Sequence, residues 1–370
     1  MSAARNRRQA APSKRIVFLG PHDCVGGAVP RIIGELSAGL KGHGWIVSSS
    51  RWGARSGSEG LVRKLMSRTN DAFRISNEVA AERPDMVVIH TGMDWKTVVR
   101  DLLLCSRLRR HVPIIILQPH GGHAEWLGRG RMSLFRALST HLLKLVDGVF
   151  VLSWEEAVHY AAAVPGILVQ RIDNPFHSEI DLRDVEAPVE CERLVFVGRL
   201  VATKGIMDTI EAMTALQANV SLAIAGDGPL LSDARRIVDE RGLSDRVCFH
   251  GRLDREELTR LYANSDVLIL PTYWAEGFPT VLAEAMAAGL AIVTTPVRGA
   301  RDYLVDGDNC VFVPPRSPHE IARAVQLLQS DRDLARRMGE NNRSAVLQFL
   351  PEQAVRRYQA ALLEVRQSVV

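Results

Sequence analysis

Two glutamates with seven residues between them mark the stretch EGFPTVLAEAMAAG (276–289). From Thr280 to Gly289 the residues are nearly all Val, Leu, Ala and Met, the composition of a short buried helix, yet Glu284 sits in its middle. An ionised carboxylate in apolar surroundings costs several kcal/mol unless specific partners meet it. Glu284 therefore needs hydrogen-bond donors, and Glu276, in the loop before the helix, raises the same demand. A second set of chemistry-bearing residues lies in GRLVATKG (198–205), where Arg199 and Lys204 leave a strand end just before Gly205 opens a helix. Two cations so placed are suited to clamp a diphosphate. In the first half, ILQPHGGHAEW (116–126) puts His120 just past a buried strand, and Gly26–Gly27 precede an amphipathic helix, where bare backbone N–H groups can approach an anion.

The elements that must position these residues follow a simple alternation. Strand candidates in the first half are RIVFLG (15–20), WIVSSS (45–50), DMVVIH (85–90), PIIILQ (113–118) and GVFVLS (148–153). In the second half they are RLVFVG (193–198), VSLAIAG (220–226), RVCFHG (246–251), DVLILPT (266–272), LAIVTT (290–295) and CVFVPP (310–315). Near-continuous Val/Ile/Leu runs are the mark of parallel strands covered on both faces. Helical patterns at 205–216, 231–241, 255–263 and 318–329 fill the gaps, so the expectation is an α/β chain with two doubly wound, Rossmann-like domains. Residues 1–14 read as a disordered basic tail, 15–185 as the first domain and 186–350 as the second. A last helix within 351–370 is expected to pack back on the first domain. Ligands in such sheets bind beyond the carboxyl ends of the strands, where all the residues singled out above fall.

At 370 residues the chain exceeds what one core usually supports, in keeping with two domains. No apolar run reaches the roughly 20 residues needed to cross a bilayer, and the N-terminal stretch lacks the apolar core of a signal peptide. The five cysteines are scattered, odd in number and never spaced C-x-x-C, which suits reduced thiols acting as small buried hydrophobes. Charge is uneven. Residues 1–185 hold 25 Lys+Arg against 17 Asp+Glu, and residues 186–370 hold 21 against 25. The first half is thus basic in its own right and expected to meet an anionic partner. It carries no nucleic-acid-binding motif. The glycines do not spell G-x-G-x-x-G, and no acid closes the second strand, which argues against a nicotinamide dinucleotide. Asp306-Gly-Asp308 reads as a turn and Asp331-Arg-Asp333 as a helix start, so no metal site is expected. His123 lies three residues beyond His120, but no third ligand accompanies the pair.

The ordered set GRLVATKG, AIAGDGP, FHGRLDREELTRLYANSDVLILPT and EGFPTVLAEAMAAG resembles the donor domain of retaining GT-B-fold glycosyltransferases with an E-x7-E signature. The resemblance runs from about residue 194 to about 350 and more faintly through the first half. It implies that two Rossmann-like domains face one another across a cleft, with donor and acceptor sites in the second and first. It implies that Glu284 accepts hydrogen bonds from the nucleotide's ribose, that Glu276 contacts the transferred sugar, and that His120 reaches that sugar. The helix start would aim the N–H groups of Phe278, Thr280 and Val281 at the diphosphate, since Pro279 has none. Base and sugar choice is expected from Gly226–Pro229, Gly226 among them, and from Arg252 and Leu253. Three departures stand near that pocket: Arg298 replaces a common Gly, Asp302 a common Glu and Cys310 a usual Gly.

The expected function is therefore transfer of a hexose-type sugar from a UDP- or GDP-sugar, with retention and without metal or other cofactor, to a glycan or lipid-linked acceptor. A nucleotide-sugar-binding protein without catalysis, or an epimerase or hydrolase of the same fold, is the alternative. GRGRMSLFRALSTHLLKLV (128–146) carries Arg129, Arg131, Arg136 and Lys144 without an acid, and Phe135, Leu138, Leu142 and Leu145 recur at helical spacing. Such a stripe is either core-facing or a contact with an anionic membrane. The expected location is cytoplasmic, peripheral at the inner membrane face.

Overall fold

The computed structural model describes residues 14–21, 28–53, 61–122, 124–128, 133–176, 190–274 and 277–369. The chain folds into two compact units. One takes Met1–Val151, Glu156–Asp173 and Val355–Val370; the other takes Leu152–Glu155 and Asn174–Ala354.

The first unit holds a six-stranded parallel sheet of β1 (Arg15–Gly20), β2 (Ile46–Arg51), β3 (Met86–Thr91), β4 (Ile114–Pro119), β5 (Gly148–Val151) and β6 (Leu168–Arg171), in the order β2-β1-β3-β4-β5-β6. Its helices are α1 (Ala28–Gly42), α2 (Leu61–Glu82), α3 (Trp95–Leu108), α4 (Ser133–Leu143) and most of α5 (Trp154–Ala163). Every residue of β3 and β4 is buried, because helices cover both faces of a parallel sheet. The second unit repeats the plan with β7 (Arg193–Val197), β8 (Ser221–Ala225), β9 (Val247–Gly251), β10 (Val267–Leu270), β11 (Ala291–Thr294) and β12 (Val311–Phe312), ordered β12-β11-β10-β7-β8-β9. Its helices are α6 (Ile206–Ala212), α7 (Leu231–Glu240), α8 (Arg255–Ala263), α9 (Thr280–Ala287), α10 (Gly299–Tyr303), α11 (Pro318–Ser330) and α12 (Arg332–Val346).

Each sheet has a point where the winding reverses: between β1 and β3 in the first, between β7 and β10 in the second. Loops leaving the carboxyl ends of those neighbours splay apart and leave a crevice, the usual ligand position in open α/β sheets. The amino ends are fastened instead. Asp266 accepts from the N–H groups of Glu192 and Arg193 at 3.2 and 3.0 Å and from the Arg193 guanidinium at 2.6 and 3.1 Å. Asp147 does the same in the first sheet, from Ile115 N–H at 2.8 Å and from Arg109.

The last helix, α13 (Pro351–Val369), enters the first unit at Val355. The Tyr358 hydroxyl donates to Gln118 Oε1 at 2.8 Å, its ring packs between Phe18 and Phe150, and Arg357 pairs with buried Asp173 at 2.7 Å. In α4 the apolar stripe faces inward: Phe135 and Leu142 are fully buried, and Leu138 and Leu145 pack on the same core. The stripe therefore fills the core. Leu134 stands exposed, as does Lys144 just past the helix, while Arg129 and Arg131 lie outside the described residues. No described helix is long and apolar enough to cross a membrane.

Candidate functional site

In the second unit the site is assembled from three loops at strand carboxyl ends. After β7 the chain turns at Gly198, Arg199 is exposed, and buried Leu200 anchors the loop. Leu200 N–H donates to Asp227 O at 3.0 Å, and Leu230 N–H donates back to Leu200 O at 3.1 Å, so the loops after β7 and β8 lie backbone on backbone. Gly226 makes this approach possible. Its φ is +145°, and a Cβ there would overlap the Gly198 carbonyl oxygen. Gly226 thus sets the shape of the Arg199 loop from beneath.

Lys204, half-buried, ends a short 3₁₀ turn, Ala202–Lys204. The carbonyl of Thr203 accepts from Tyr273 N–H at 2.9 Å and from the Thr272 hydroxyl at 3.1 Å. These bonds tie the lysine loop to the loop leaving β10. The two loops come from β7 and β10, the strands flanking the reversal point.

That second loop runs from Pro271 into α9; Glu276 lies outside the described residues. Gly277 is pressed against the Leu152 side chain, which leaves no room for a Cβ. Phe278 turns its ring inward, stacked on Phe349 at 5.0 Å and tilted against Tyr303 at 4.8 Å. Its side chain is an anchor, and only its backbone is left for a ligand. Pro279 stands at the helix N-cap with no side-chain cap, and the first intrahelical bond runs from Leu282 N–H to Pro279 O at 3.0 Å. The N–H groups of Thr280 and Val281 therefore have no acceptor among the described residues.

Glu284 has a partner on another helix that its own segment gives no sign of. The Tyr262 hydroxyl, on α8, donates to Glu284 Oε2 at 2.9 Å. Burial, then the charge of Glu284 and the hydrogen bond to it, push the Tyr262 phenol well above its usual range, so the proton stays on the phenol. Leu282, Ala283, Ala285 and Met286 around the glutamate are buried, while Glu284 itself is only half-buried. At the end of β9, Arg252 is exposed and Leu253 packs on the core. Leu253 also lines a small cavity of about 270 Å³ with His250 and Glu257. A larger one of about 520 Å³, between the amino halves of β8 and β9 and α7, is lined by none of the candidate residues.

The two D-x-D strings have structural work. Asp331 caps α12 by accepting from Leu334 N–H at 2.9 Å, and Asp306 accepts from Phe312 N–H at 2.8 Å across the turn at Gly307. Among the described residues no cluster of three or more His, Cys, Asp or Glu has metal-ligating geometry.

In the first unit His120 follows β4, its N–H donating to Thr91 O at 2.8 Å. Its Nε2 lies 2.7 Å from Nδ1 of His90, the fifth residue of β3, with the ring centroids 5.0 Å apart and the ring planes 17° from parallel. Burial holds His120 down at about 4, and burial together with His120 holds His90 well below the usual histidine value. Both rings are therefore neutral near pH 7. Gly26, Gly27 and His123 lie outside the described residues.

Residues 178–345 match the family model described as glycosyl transferases group 1. Over these residues the chain is similar to the glycosyl transferases group 1 family. It is 33% identical over 151 residues to alpha-D-kanosaminyltransferase of Streptomyces kanamyceticus, covering 40% of this chain and 39% of that protein. Identity is 30% over 254 residues to the GDP-mannose-dependent alpha-(1-6)-phosphatidylinositol monomannoside mannosyltransferase of Mycobacterium tuberculosis, covering 63% and 64%. The chain thus spans about two fifths of the first of these relatives and under two thirds of the second. Anabaena HepE, solved with UDP and glucose, superposes with a TM-score of 0.69 at 17% identity over 94% of this chain and 99% of that one. The fold is GT-B.

The group 1 segment contains Arg199, Lys204, Gly226, Arg252, Leu253, Phe278, Thr280, Val281, Glu284 and the position of Glu276; His120, Gly26 and Gly27 precede it. The three departures near the pocket also lie within it. Arg298 adopts φ +31°, a left-handed conformation that glycine takes at least cost, and its buried guanidinium lies 3.5 Å from Glu155. Asp302 accepts from Trp154 N–H at 2.7 Å. Cys310 is fully buried, with its thiol pushed well up by burial, and fills the core.

Proposed function

We propose that the chain is a glycosyltransferase that moves a hexose-type sugar from a UDP- or GDP-sugar to a glycan or lipid-linked acceptor, with retention and without a divalent metal. The observation that carries the reading is Glu284, a carboxylate anchored by Tyr262 in the apolar helix that follows β10, one of the two strands at the winding reversal, the other being β7, which leads into the Arg199–Lys204 loop. Ribose hydroxyls are suitable further donors for such a group. The unsatisfied N–H groups at the start of α9 and the two cations suit a diphosphate. Both UDP and GDP stay in the reading, since the tuberculosis relative is GDP-mannose-dependent and the Anabaena protein was solved with UDP.

The mechanism follows from where charge develops. As the sugar–phosphate bond breaks, negative charge gathers on the leaving diphosphate, and positive character grows at the anomeric carbon. Arg199, Lys204 and the helix start oppose the first, the electrostatic contribution that usually dominates catalysis. Glu276 holds the sugar's hydroxyls, and His120 contributes a neutral imidazole to the same sugar. Charge is neutralised by side chains and backbone, so EDTA should leave the rate unchanged.

The test is release of nucleoside diphosphate from a panel of UDP- and GDP-sugars in EDTA, for wild type and Glu276→Gln. One donor should be hydrolysed slowly, and the variant should lose roughly tenfold or more, the worth of about 1.4 kcal/mol in the transition state. Tight nucleotide binding with no release from any donor, even with a membrane extract as acceptor, would overturn the reading in favour of a binding protein. Sugar interconversion without release would make it an epimerase.

The basic first half is proposed to meet an anionic or lipid-linked acceptor at the inner membrane face. With the apolar stripe of α4 buried, attraction rests on charge, so binding to anionic vesicles should be present at low salt and fade as the Debye length falls below about 8 Å. No binding at low salt removes the membrane from the proposal.

A further inference from the structure

The His90–His120 contact has a consequence for which proton sits where. Both rings are neutral, so at the 2.7 Å contact one nitrogen donates and the other accepts. Two arrangements satisfy this. In one, His120 Nε2–H donates to His90 Nδ1, which forces the proton of His90 onto its Nε2. That Nε2 is buried and has no hydrogen-bond partner among the described residues. In the other, His90 Nδ1–H donates to His120 Nε2, and the buried His90 Nε2 is a bare acceptor. Buried N–H groups without acceptors are rarer in proteins than under-used acceptors, so the second arrangement is favoured. It leaves the proton of His120 on Nδ1, which meets no acceptor among the described residues.

We propose that His90 is a positioning residue, donating its Nδ1–H to Nε2 of His120 and so holding His120 in the Nδ1–H tautomer with that N–H presented to a hydroxyl oxygen of the transferred sugar. The last clause rests on the proposed function; the tautomer does not. His90 is suited to the task because it is 2% exposed, in a strand buried throughout, and Phe18 packs against its ring at 5.5 Å. The two imidazole planes lie 17° apart, so the hydrogen bond runs nearly in the plane of both rings and fixes the orientation of His120 as well as its proton. A ring fixed on both counts meets a hydroxyl without reorganising, the condition under which a single hydrogen bond contributes most to a transition state.

Nitrogen-15 NMR on histidine-labelled protein at pH 7 separates protonated from bare ring nitrogens, with His90→Asn and His120→Asn providing assignments. The expected result is His120 protonated at Nδ1 and bare at Nε2. A His120 protonated at Nε2, or at both nitrogens, overturns the proposal whatever the activity of the protein. The second measurement is the rescue. An asparagine at 90 keeps an N–H donor near the place of Nδ1, whereas leucine keeps only bulk. Turnover should fall about tenfold in His90→Leu and recover to within about threefold of wild type in His90→Asn, the size of one hydrogen bond made in the transition state. Equal losses in the two variants, with both folded, would mean that His90 only fills space.

Discussion

Replacing Glu284 by alanine is expected to weaken nucleoside diphosphate binding by at least a hundredfold while the chain stays folded. Two hydrogen bonds from ribose hydroxyls to an ionised carboxylate contribute about 1.5 kcal/mol or more each, and about 3 kcal/mol is roughly a hundredfold in Kd. The same change strands the buried Tyr262 hydroxyl, which costs about 1–3 kcal/mol of stability. Tyr262→Phe separates the two effects. It removes the donor and leaves the carboxylate, so its expected loss is only a few-fold in affinity, arising from a less well held glutamate. Isothermal titration with UDP and GDP across the three proteins decides the matter. A folded Glu284→Ala that binds nucleotide like wild type would reduce Glu284 to the structural partner of Tyr262.

How far these residues were legible depended on whether the signal was local. The strand runs around 86–91 and 114–119 stood out because a strand covered on both faces must be apolar throughout. β6 escaped notice. Its four residues, Leu168–Arg171, form an edge strand, all half-buried, with no run or alternation to read. β12 is shorter than CVFVPP suggested because Pro314 and Pro315 have no N–H to extend a ladder. Glu284 announced itself by contrast with its neighbours, but Tyr262 lies 22 residues away on a different helix, and no periodicity links them. His90 reads as one more strand residue until β3 and β4 are placed side by side, which brings it to His120, 30 residues on. Gly226 stood out in the sequence as a glycine after a strand, but the structural reason for it did not. The carbonyl it makes room for belongs to Gly198, and that contact exists only because β7 and β8 are neighbours. Nor does sequence hint that Leu152–Glu155, directly after a strand of the first unit, group with the second, where Asp302 and Gly277 receive them.

The second large expectation concerns acid. His90, buried, and His120, half-buried, are neutral, with native values well below 6.5 and at about 4, whereas an unfolded histidine sits near 6.5. Below pH 6.5 the unfolded chain therefore takes up two protons that the native chain refuses, and stability falls as pH falls. The stabilisation is complete above about pH 6.5 and is lost progressively toward the native values; raising the pH from 7 to 8 does nothing to it. At pH 5 His120 alone accounts for about 2 kcal/mol of that loss, since one pKa unit is worth 1.36 kcal/mol, and His90 adds to it in the same direction. Urea denaturation at pH 7.5 and pH 5 should show this slope in wild type. The double variant His90→Asn/His120→Gln, which keeps polar side chains but cannot titrate, should be the more nearly pH-independent by at least that amount. Differences between the two proteins at each pH cancel the other nine histidines. A slope shared by both would show that the pair is protonated in the native protein, which would also remove the neutral imidazole at His120. The same arrangement carries a kinetic corollary. A ring that stays neutral down to about pH 4 gives turnover no step near pH 6.5 from His120, so a pH profile flat through that region and a steep acid loss of stability should appear together, from one contact between two strands.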